Sequence, residues 1–562
     1  MNKYSEERKK EQELGNVPEW FTTSGYQLFK EKYLWAGNVR EQYQSIAATA
    51  ASHLIHTQWG NDAYGKFFNL LWNGWLSPST PILANMGTDR GLPVSCSGGY
   101  VEDSIDGFYT SRRENAILTK YGFGTSSYLG DIRPRGSDIS IGGKASGVLP
   151  VFKGFVQDMR EVAQGVQRRG AWAGYLPITH GDFDEICDYL HAHPDDLNVG
   201  WNITDKFIKQ LDEGDEEAVR RYQKALKVKM ITGKGYFFFV DKANRHKPEQ
   251  YENHELDIKA SNLCTEIMLH SGETDTFTCV LSSMNLAKYD EWKDTDAIYW
   301  STIFLDCVAS EFIAQAQNIS GLEKAVEFTM DGRALGLGVC GLHTLFIKRG
   351  YPFESLDAQF LQDEIFRQLQ GQSSEASLDM ADELDPPYWC QGMGVEYRNT
   401  HRLAIAPTKS TALIMGGVSE GINPIPALLY TQTTAAGEVQ RIDPEFLAFL
   451  KEKGVYTPQH LKEIEDNFGS CQHVTWMTEE EKLLFRTAFE INQNTLVRYA
   501  SLRQKYICQG QSVNLFFSAE EDESYVSDVH QNAFKNEDIL SLYYCYSKAG
   551  VAASKGECVA CN

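Results

Sequence analysis

Several things are scarce in this 562-residue chain, and each scarcity excludes something. No stretch approaches the roughly 20 consecutive apolar residues of a membrane-spanning helix, so no span is expected. The opening MNKYSEERKKEQELGNVPEW is charged and has no apolar core, so it does not read as a secretory leader. Twelve cysteines spread over the chain are far too few for a disulfide-stapled scaffold. A leaderless chain with such scattered thiols is expected in the cytoplasm, its cysteines reduced and available for chemistry. Positive charge is also short: 53 Lys and Arg face 76 Asp and Glu, for a net charge of −23. That balance argues against nucleic-acid backbone as a partner, since such binding needs a cationic face. No internal repeat is visible.

Aromatic residues are plentiful: 27 Tyr, 29 Phe and 11 Trp, within 42% hydrophobic and 23% charged residues. They can build a large core and exclude disorder as the dominant state. Residues 1–75 read as helical, with apolar residues at three- and four-residue spacing in YQLFKEKYLW, REQYQSIAATAASHL and AYGKFFNLLWNGWL. From Leu76 the pattern becomes Gly-rich turns, short strand-like runs (GYFFFVD, RALGLGVCGL, LAIAPT) and helices. Such alternation predicts an α/β body with a largely parallel sheet or barrel. Beyond Pro444 the reading is helical again, FKNEDILSLYYCYSKAG included. The last residues are small and polar, as in a mobile tail. The expected organisation is a helical region 1–75, a catalytic body 76–545 and a redox-active tail 546–562.

Candidate chemistry begins with SNLCTEI, which places Asn262, Cys264 and Glu266 at every second position. On an extended segment these share a face, so a thiol would lie between an amide and a carboxylate. A strand with a buried small cysteine fits the same letters. Cys96 in LPVSCSGGY and Cys279 in DTFTCVLSSMNL sit in strand-like runs, either inert or, on facing strands, within disulfide reach. The other cysteines up to Cys545 read as packing. At the C-terminus, Cys558 and Cys561 form a C-x-x-C without two further ligands nearby, which suits a thiol shuttle better than zinc. APTKSTALIMGG offers Thr408, Lys409, Ser410 and Thr411 at a helix start, either an anion site or an ordinary cap.

Taken in order, STPI, LPVSC, YGFGTSS…IRPRGS, QGVQRRGA, SNLCTEI, FTCVLSSMNL, RALGLGVCGL, APTKSTA, LYY and the terminal C-x-x-C resemble the large catalytic subunit of class I ribonucleotide reductase. The resemblance implies a ten-stranded α/β barrel whose central finger loop carries a thiyl-radical cysteine. It implies that Cys264 is that cysteine and takes the 3′ hydrogen of a ribonucleotide. Asn262 and Glu266 would orient the sugar hydroxyls, with Glu266 as general base. Cys96 and Cys279 would give two electrons and become a disulfide as the 2′-OH leaves as water. Thr80, Ser95 and Thr408–Thr411 would hold the diphosphate. Asp103, Arg133 and Arg168 would serve a dNTP or ATP specificity effector.

Tyr543 and Tyr544 would pass a radical from a separate metal-containing small subunit, so no cofactor is expected in this chain. Cys558 and Cys561 would take electrons from thioredoxin or glutaredoxin. A homodimer is implied. The family's N-terminal ATP cone is not recognised, which implies effector control of substrate choice without the usual dATP off-switch. Three other readings compete. An adenosylcobalamin-dependent reductase shares the barrel, and the tyrosine pair argues against it. A glycyl-radical enzyme needs four zinc cysteines, and a non-catalytic nucleotide-binding regulator would not keep the full cysteine set.

Overall fold

The computed structural model describes residues 3–164, 168–196, 198–434 and 437–547. The N-terminal region is helical as its periodicity predicts, with helices Lys3–Glu13, Thr23–Lys32, Val39–Ser52 and Ala63–Trp72. Thr22, Asn38 and Ser104 side chains cap the helices that follow them, each accepting a backbone N–H and satisfying a donor the helix leaves open.

The body is an α/β barrel. Five parallel strands run side by side in the order Cys96–Tyr100, Gly124–Tyr128, Trp172–Pro177, Val199–Ile203 and Tyr236–Phe239. The long strand Phe277–Asn285 pairs antiparallel with the first of them and parallel with Leu335–Cys340. From there the ring continues through single bridges, Leu337 to Leu403 and Ile405 to Gln511, both parallel. Tyr543 N–H then donates to Val513 O, and Ser541–Leu542 closes on Tyr236–Phe239 antiparallel. The two halves thus run in opposite directions, five segments in each. Close approach at the bridged segments depends on Gly338, where a Cβ would lie 2.5 Å from the Ala404 carbonyl oxygen.

Helices cover the outside. Ala297–Ala316 is long and apolar enough by composition to cross a membrane, yet 72% of that stretch is buried inside the fold, where it serves as a core helix. It carries Asp306, which binds the buried Arg333 at 2.7 Å and Asn399 at 2.9 Å, with Arg398 3.6 Å away. Burial pushes the Asp306 carboxyl up, but the two guanidiniums outweigh it and hold it below its ordinary value. The Lys242 ammonium, also buried, donates to the carbonyls of Ala533, Phe534 and Asn536 and so caps the helix Glu523–Lys535.

One expectation fails in this region. Residues 536–547 are not helical: the tyrosine pair lies between the short strands Ser541–Leu542 and Cys545–Ser547. Ser541–Leu542 is claimed by the barrel edge, and Cys545–Ser547 pairs in parallel with Leu515–Phe517. Tertiary pairing overrides the local apolar spacing that suggested a helix.

Candidate active site

Residues 256–276 leave the barrel wall without regular structure and thread its interior. Hydrogen bonds from the surrounding wall hold this finger loop. Ser126 Oγ donates to Ser261 O at 2.8 Å, Tyr175 OH to Asn262 O at 2.6 Å and Asn202 Nδ2 to Lys259 O at 2.6 Å. From the opposite side Gly510 N–H reaches Glu266 O at 2.8 Å, Ser512 Oγ reaches Cys264 O at 2.6 Å and Ser541 Oγ reaches Thr265 O at 2.8 Å.

The segment is a loop tip that turns, where the alternating letters allowed either an extended strand or a strand-like loop tip. Thr265 has φ of 67°, left-handed backbone that a β-branched residue adopts only under constraint, at about 1–3 kcal/mol. That turn leaves Cys264 partly accessible while Asn262 and Glu266 are buried. Burial drives the Glu266 carboxyl up to about 7, despite opposing hydrogen bonds that include those from Asn262 and Ser512. A carboxyl poised there exchanges protons readily near neutral pH.

Cys96 and Cys279 are direct partners across the antiparallel pair of strands. Opposed residues of such a pair have Cα atoms about 4.5–5.5 Å apart, inside disulfide range. Both are buried here. Each sulfur faces an amide donor: Asn262 Nδ2 lies 3.4 Å from Cys96 Sγ, and Gln509 Nε2 lies 3.4 Å from Cys279 Sγ. Burial pushes the Cys279 thiol well up, so it rests as S–H, with Gln509 pulling the other way. Gln509 also accepts from Met268 N–H at 3.1 Å and donates to Leu335 O at 2.9 Å, tying the finger loop to two barrel strands.

On the other side of the loop, Tyr543 OH donates to Cys264 Sγ at 3.3 Å. The Tyr543 and Tyr544 rings lie 4.3 Å apart between centroids. Tyr236 packs against both, at 4.9 and 5.4 Å. The fully buried Lys229 donates to the Tyr543 and Gly235 carbonyls, and burial lowers its ammonium to about 8.

Thr80 opens the helix Thr80–Asn85, and the strand Leu76–Pro78 leading into it packs on the helix Lys409–Ile414. Thr408 precedes that helix with φ of 56°, and its Oγ1 accepts from Gly421 N–H at 2.8 Å. Thr411 lies buried on the helix, and Lys409 and Ser410 are partly exposed. Ser95 adjoins Cys96, and its buried hydroxyl has no hydrogen-bond partner among the described residues, nor has that of Ser79.

Apart from these, Asp103 and Arg133 form an ion pair at 2.6 Å beside the helix Ile105–Lys120. Gln164 and Arg168 pair across a two-stranded ribbon, and residues 165–167 and the side chains of that ribbon lie outside the described residues. So do Cys558 and Cys561. Of the seven cysteines read as packing, all but Cys508 are buried. The Cys508 sulfur accepts the backbone N–H groups of Arg402 and Leu403.

Gln509, Ser512, Tyr175, Tyr236 and Lys229 touch the finger loop or the tyrosine pair, and no motif in the sequence singled them out. The only signal was QGQSVN, a polar run between apolar segments.

A barrel enclosing a cysteine-tipped loop, with opposed thiols on one side and a tightly packed tyrosine pair on the other, defines a class of radical enzymes. Comparison with known proteins agrees. Residues 94–221, 217–392 and 390–545 match "Ribonucleotide reductase, barrel domain", and residues 19–91 match "Ribonucleotide reductase, all-alpha domain". The chain belongs to the ribonucleotide reductase large-subunit family, as an enzyme of deoxyribonucleotide synthesis, and no ATP-cone domain is found in it.

It is 32% identical over 522 residues to a Frog virus 3 protein provisionally named a ribonucleoside-diphosphate reductase large subunit, covering 87% of this chain and 90% of that one. The large subunit of Caenorhabditis elegans is 28% identical over 564 residues, covering 86% and 71%. In structure the chain resembles the Actinobacillus ureae class Id ribonucleotide reductase alpha subunit. The TM-score is 0.86 at 36% identity, with 94% of this chain and 98% of that one covered. These relatives favour a class I enzyme, whose radical-generating cofactor lies in a separate subunit, over the cobalamin-dependent alternative.

Proposed function

We propose that the chain reduces ribonucleoside diphosphates at the finger loop, with Cys264 as the thiyl-radical residue and Cys96 and Cys279 as the two-electron donors. The observation that carries this is that the opposed Cys96 and Cys279 sulfurs are both tied by hydrogen bonds to the finger loop whose tip carries Cys264. Asn262 and Gln509 each join the finger loop to one of the opposed sulfurs. In this reading Cys264 takes the 3′ hydrogen and Glu266 accepts the 3′-OH proton. The 2′-OH departs as water on taking one thiol hydrogen, the other thiol hydrogen goes to the 2′ carbon, and the Cys96 and Cys279 sulfurs join as a disulfide. Cys264 then returns its hydrogen to the 3′ carbon.

Thr80, Ser95 and Thr408–Thr411 hold the diphosphate in this account. The Ser95 hydroxyl, without a partner among the described residues, supports it, since a buried hydroxyl is costly until something bonds it. Asp103, Arg133 and Arg168 take the dNTP or ATP effector. The Asp103–Arg133 pair is partly exposed, and such pairs contribute only about 0–1 kcal/mol, so a nucleotide can displace it. The exposed Ile105 and Tyr109 on the adjacent helix support a homodimer through that face.

Cys558 and Cys561 re-reduce the pair, drawing on thioredoxin or glutaredoxin, in the cytoplasm where thiols stay reduced. The metal cofactor of a small subunit supplies the radical; within this chain, Tyr543 and Tyr544 conduct it to Cys264. The domain division is 1–75, 76–545 and 546–562.

Tyr543→Phe tests the path. Phe keeps the ring but has no O–H to lose, so turnover with the small subunit should fall by about 10³-fold or more. Folding, effector binding and subunit association should stay near normal. Retained turnover would contradict the assignment.

A further inference from the structure

The aromatic path does not stop at Tyr544. Tyr546 lies two residues on, and alternate residues of an extended segment project to the same side. Its ring centroid is 5.7 Å from that of Tyr544, wider than the 4.3 Å separating Tyr544 from Tyr543 but still in the range of contacting rings. Among the described residues Tyr546 also packs on Phe516, its cross-strand partner, stacked at 5.2 Å with the planes 16° apart. Exposure rises along the series: Tyr543 is 1% exposed, Tyr544 8%, and Tyr546 is only half-buried. Phe516 and Phe517 on the paired strand show that packing here is satisfied by rings without hydroxyls. A phenol at the outermost position adds one property that packing does not require, an oxidisable O–H.

We propose that Tyr546 is a third tyrosine of the radical path, standing between Tyr544 and the docked small subunit. The proposal rests on the reading of Tyr543 and Tyr544 as radical carriers. In the forward direction Tyr546 gives one electron to the one-electron oxidant of the small subunit, which is thereby reduced. Its phenolic proton goes to solvent at the exposed edge. The Tyr546 phenoxyl then takes a hydrogen atom from Tyr544, and Tyr544 takes one from Tyr543. Tyr543 takes one from the Cys264 S–H, leaving Cys264 as the thiyl radical and all three phenols restored. Each return step after reduction of the nucleotide is the reverse.

The test uses the full chain with its radical-bearing small subunit, a ribonucleoside diphosphate and an effector. 3-Aminotyrosine is more easily oxidised than tyrosine and traps a radical that passes through its position. Placed at residue 546, it should accumulate an aminotyrosyl radical visible by electron paramagnetic resonance. A second variant, Tyr546→Phe, keeps the stack on Phe516 and should lower turnover by about tenfold or more without weakening small-subunit association. Aminotyrosine at residue 543 is the control for the underlying path. A trapped radical at 543 but none at 546 overturns the proposal and leaves that path standing, as does full turnover by Tyr546→Phe. If neither position traps a radical, the underlying path itself has failed and the proposal with it.

Discussion

Glu266 shows how one residue's surroundings decide its chemistry. An exposed glutamate would be ionised throughout the neutral range and would be a weak base. Enclosed in the barrel, its carboxyl rises to about 7. Its charged form is therefore scarce below that pH and dominant above it. The kcat/KM profile, which reports the free enzyme, should rise with pH through about 7, and Glu266→Gln should remove that limb along with most of the activity. A profile flat from pH 6 to 8 in the parent enzyme would show that Glu266 is not the base. The stability linkage has the opposite sign. A carboxyl whose folded value is raised contributes stability below its unfolded value that is lost as pH rises through about 7.

At this scale the sequence was legible where residue types were distinctive. Cys96, Cys264 and Cys279 stood in recognisable settings; strand register opposes Cys96 to Cys279, while Cys264 is carried on the finger loop. Gln509 and Lys229 were invisible because a single amide or ammonium in apolar company forms no pattern. Only the fold reveals that one touches Cys279 and the other the Tyr543 carbonyl. The left-handed Thr265 was equally hidden, since threonine carries no signal for that backbone.

Among elements, the barrel wall is held by cross-ties as well as by strands. The helix Ala297–Ala316 delivers Asp306 to Arg333, two residues before the strand Leu335–Cys340 that pairs with the Cys279 strand. Removing one member of a buried ion pair leaves a desolvated charge, at about 3–5 kcal/mol. Asp306→Ala should lose that much stability in urea unfolding while the remaining folded fraction keeps its substrate affinity. A loss below about 1 kcal/mol would mean that Arg333 finds another partner.

Strands with strong apolar runs, such as YFFF and LGLGVC, were readable. The segment at 403–405 was readable too, in the run LAIAPT, whereas the one at 511–513, which joins the ring through an isolated bridge, leaves little trace in composition. The tyrosine pair was assigned to a helix because its apolar spacing permits one. Its actual setting depends on two strands distant in sequence.

For the whole molecule, the Asp103–Arg133 ion pair, proposed above to take the effector, sits at the start of a helix that presents Ile105 and Tyr109 to the outside. If this face joins two copies of the chain, effector binding and dimerisation are coupled. Tyr109→Glu places a charge on the patch and should shift micromolar protein from dimer to monomer in sedimentation velocity, with loss of effector-dependent substrate preference. An unchanged dimer would move the interface elsewhere. The central claim concerns where the electrons come from, and one turnover measures it. A Cys558→Ser, Cys561→Ser variant, free of external reductant, is mixed with the small subunit, effector and ribonucleoside diphosphate. It is then quenched, alkylated and mapped by mass spectrometry. The account predicts one deoxyribonucleotide and one Cys96–Cys279 disulfide per active site. Product formed with Cys96 and Cys279 both still alkylatable, or with a different pair oxidised, would contradict it.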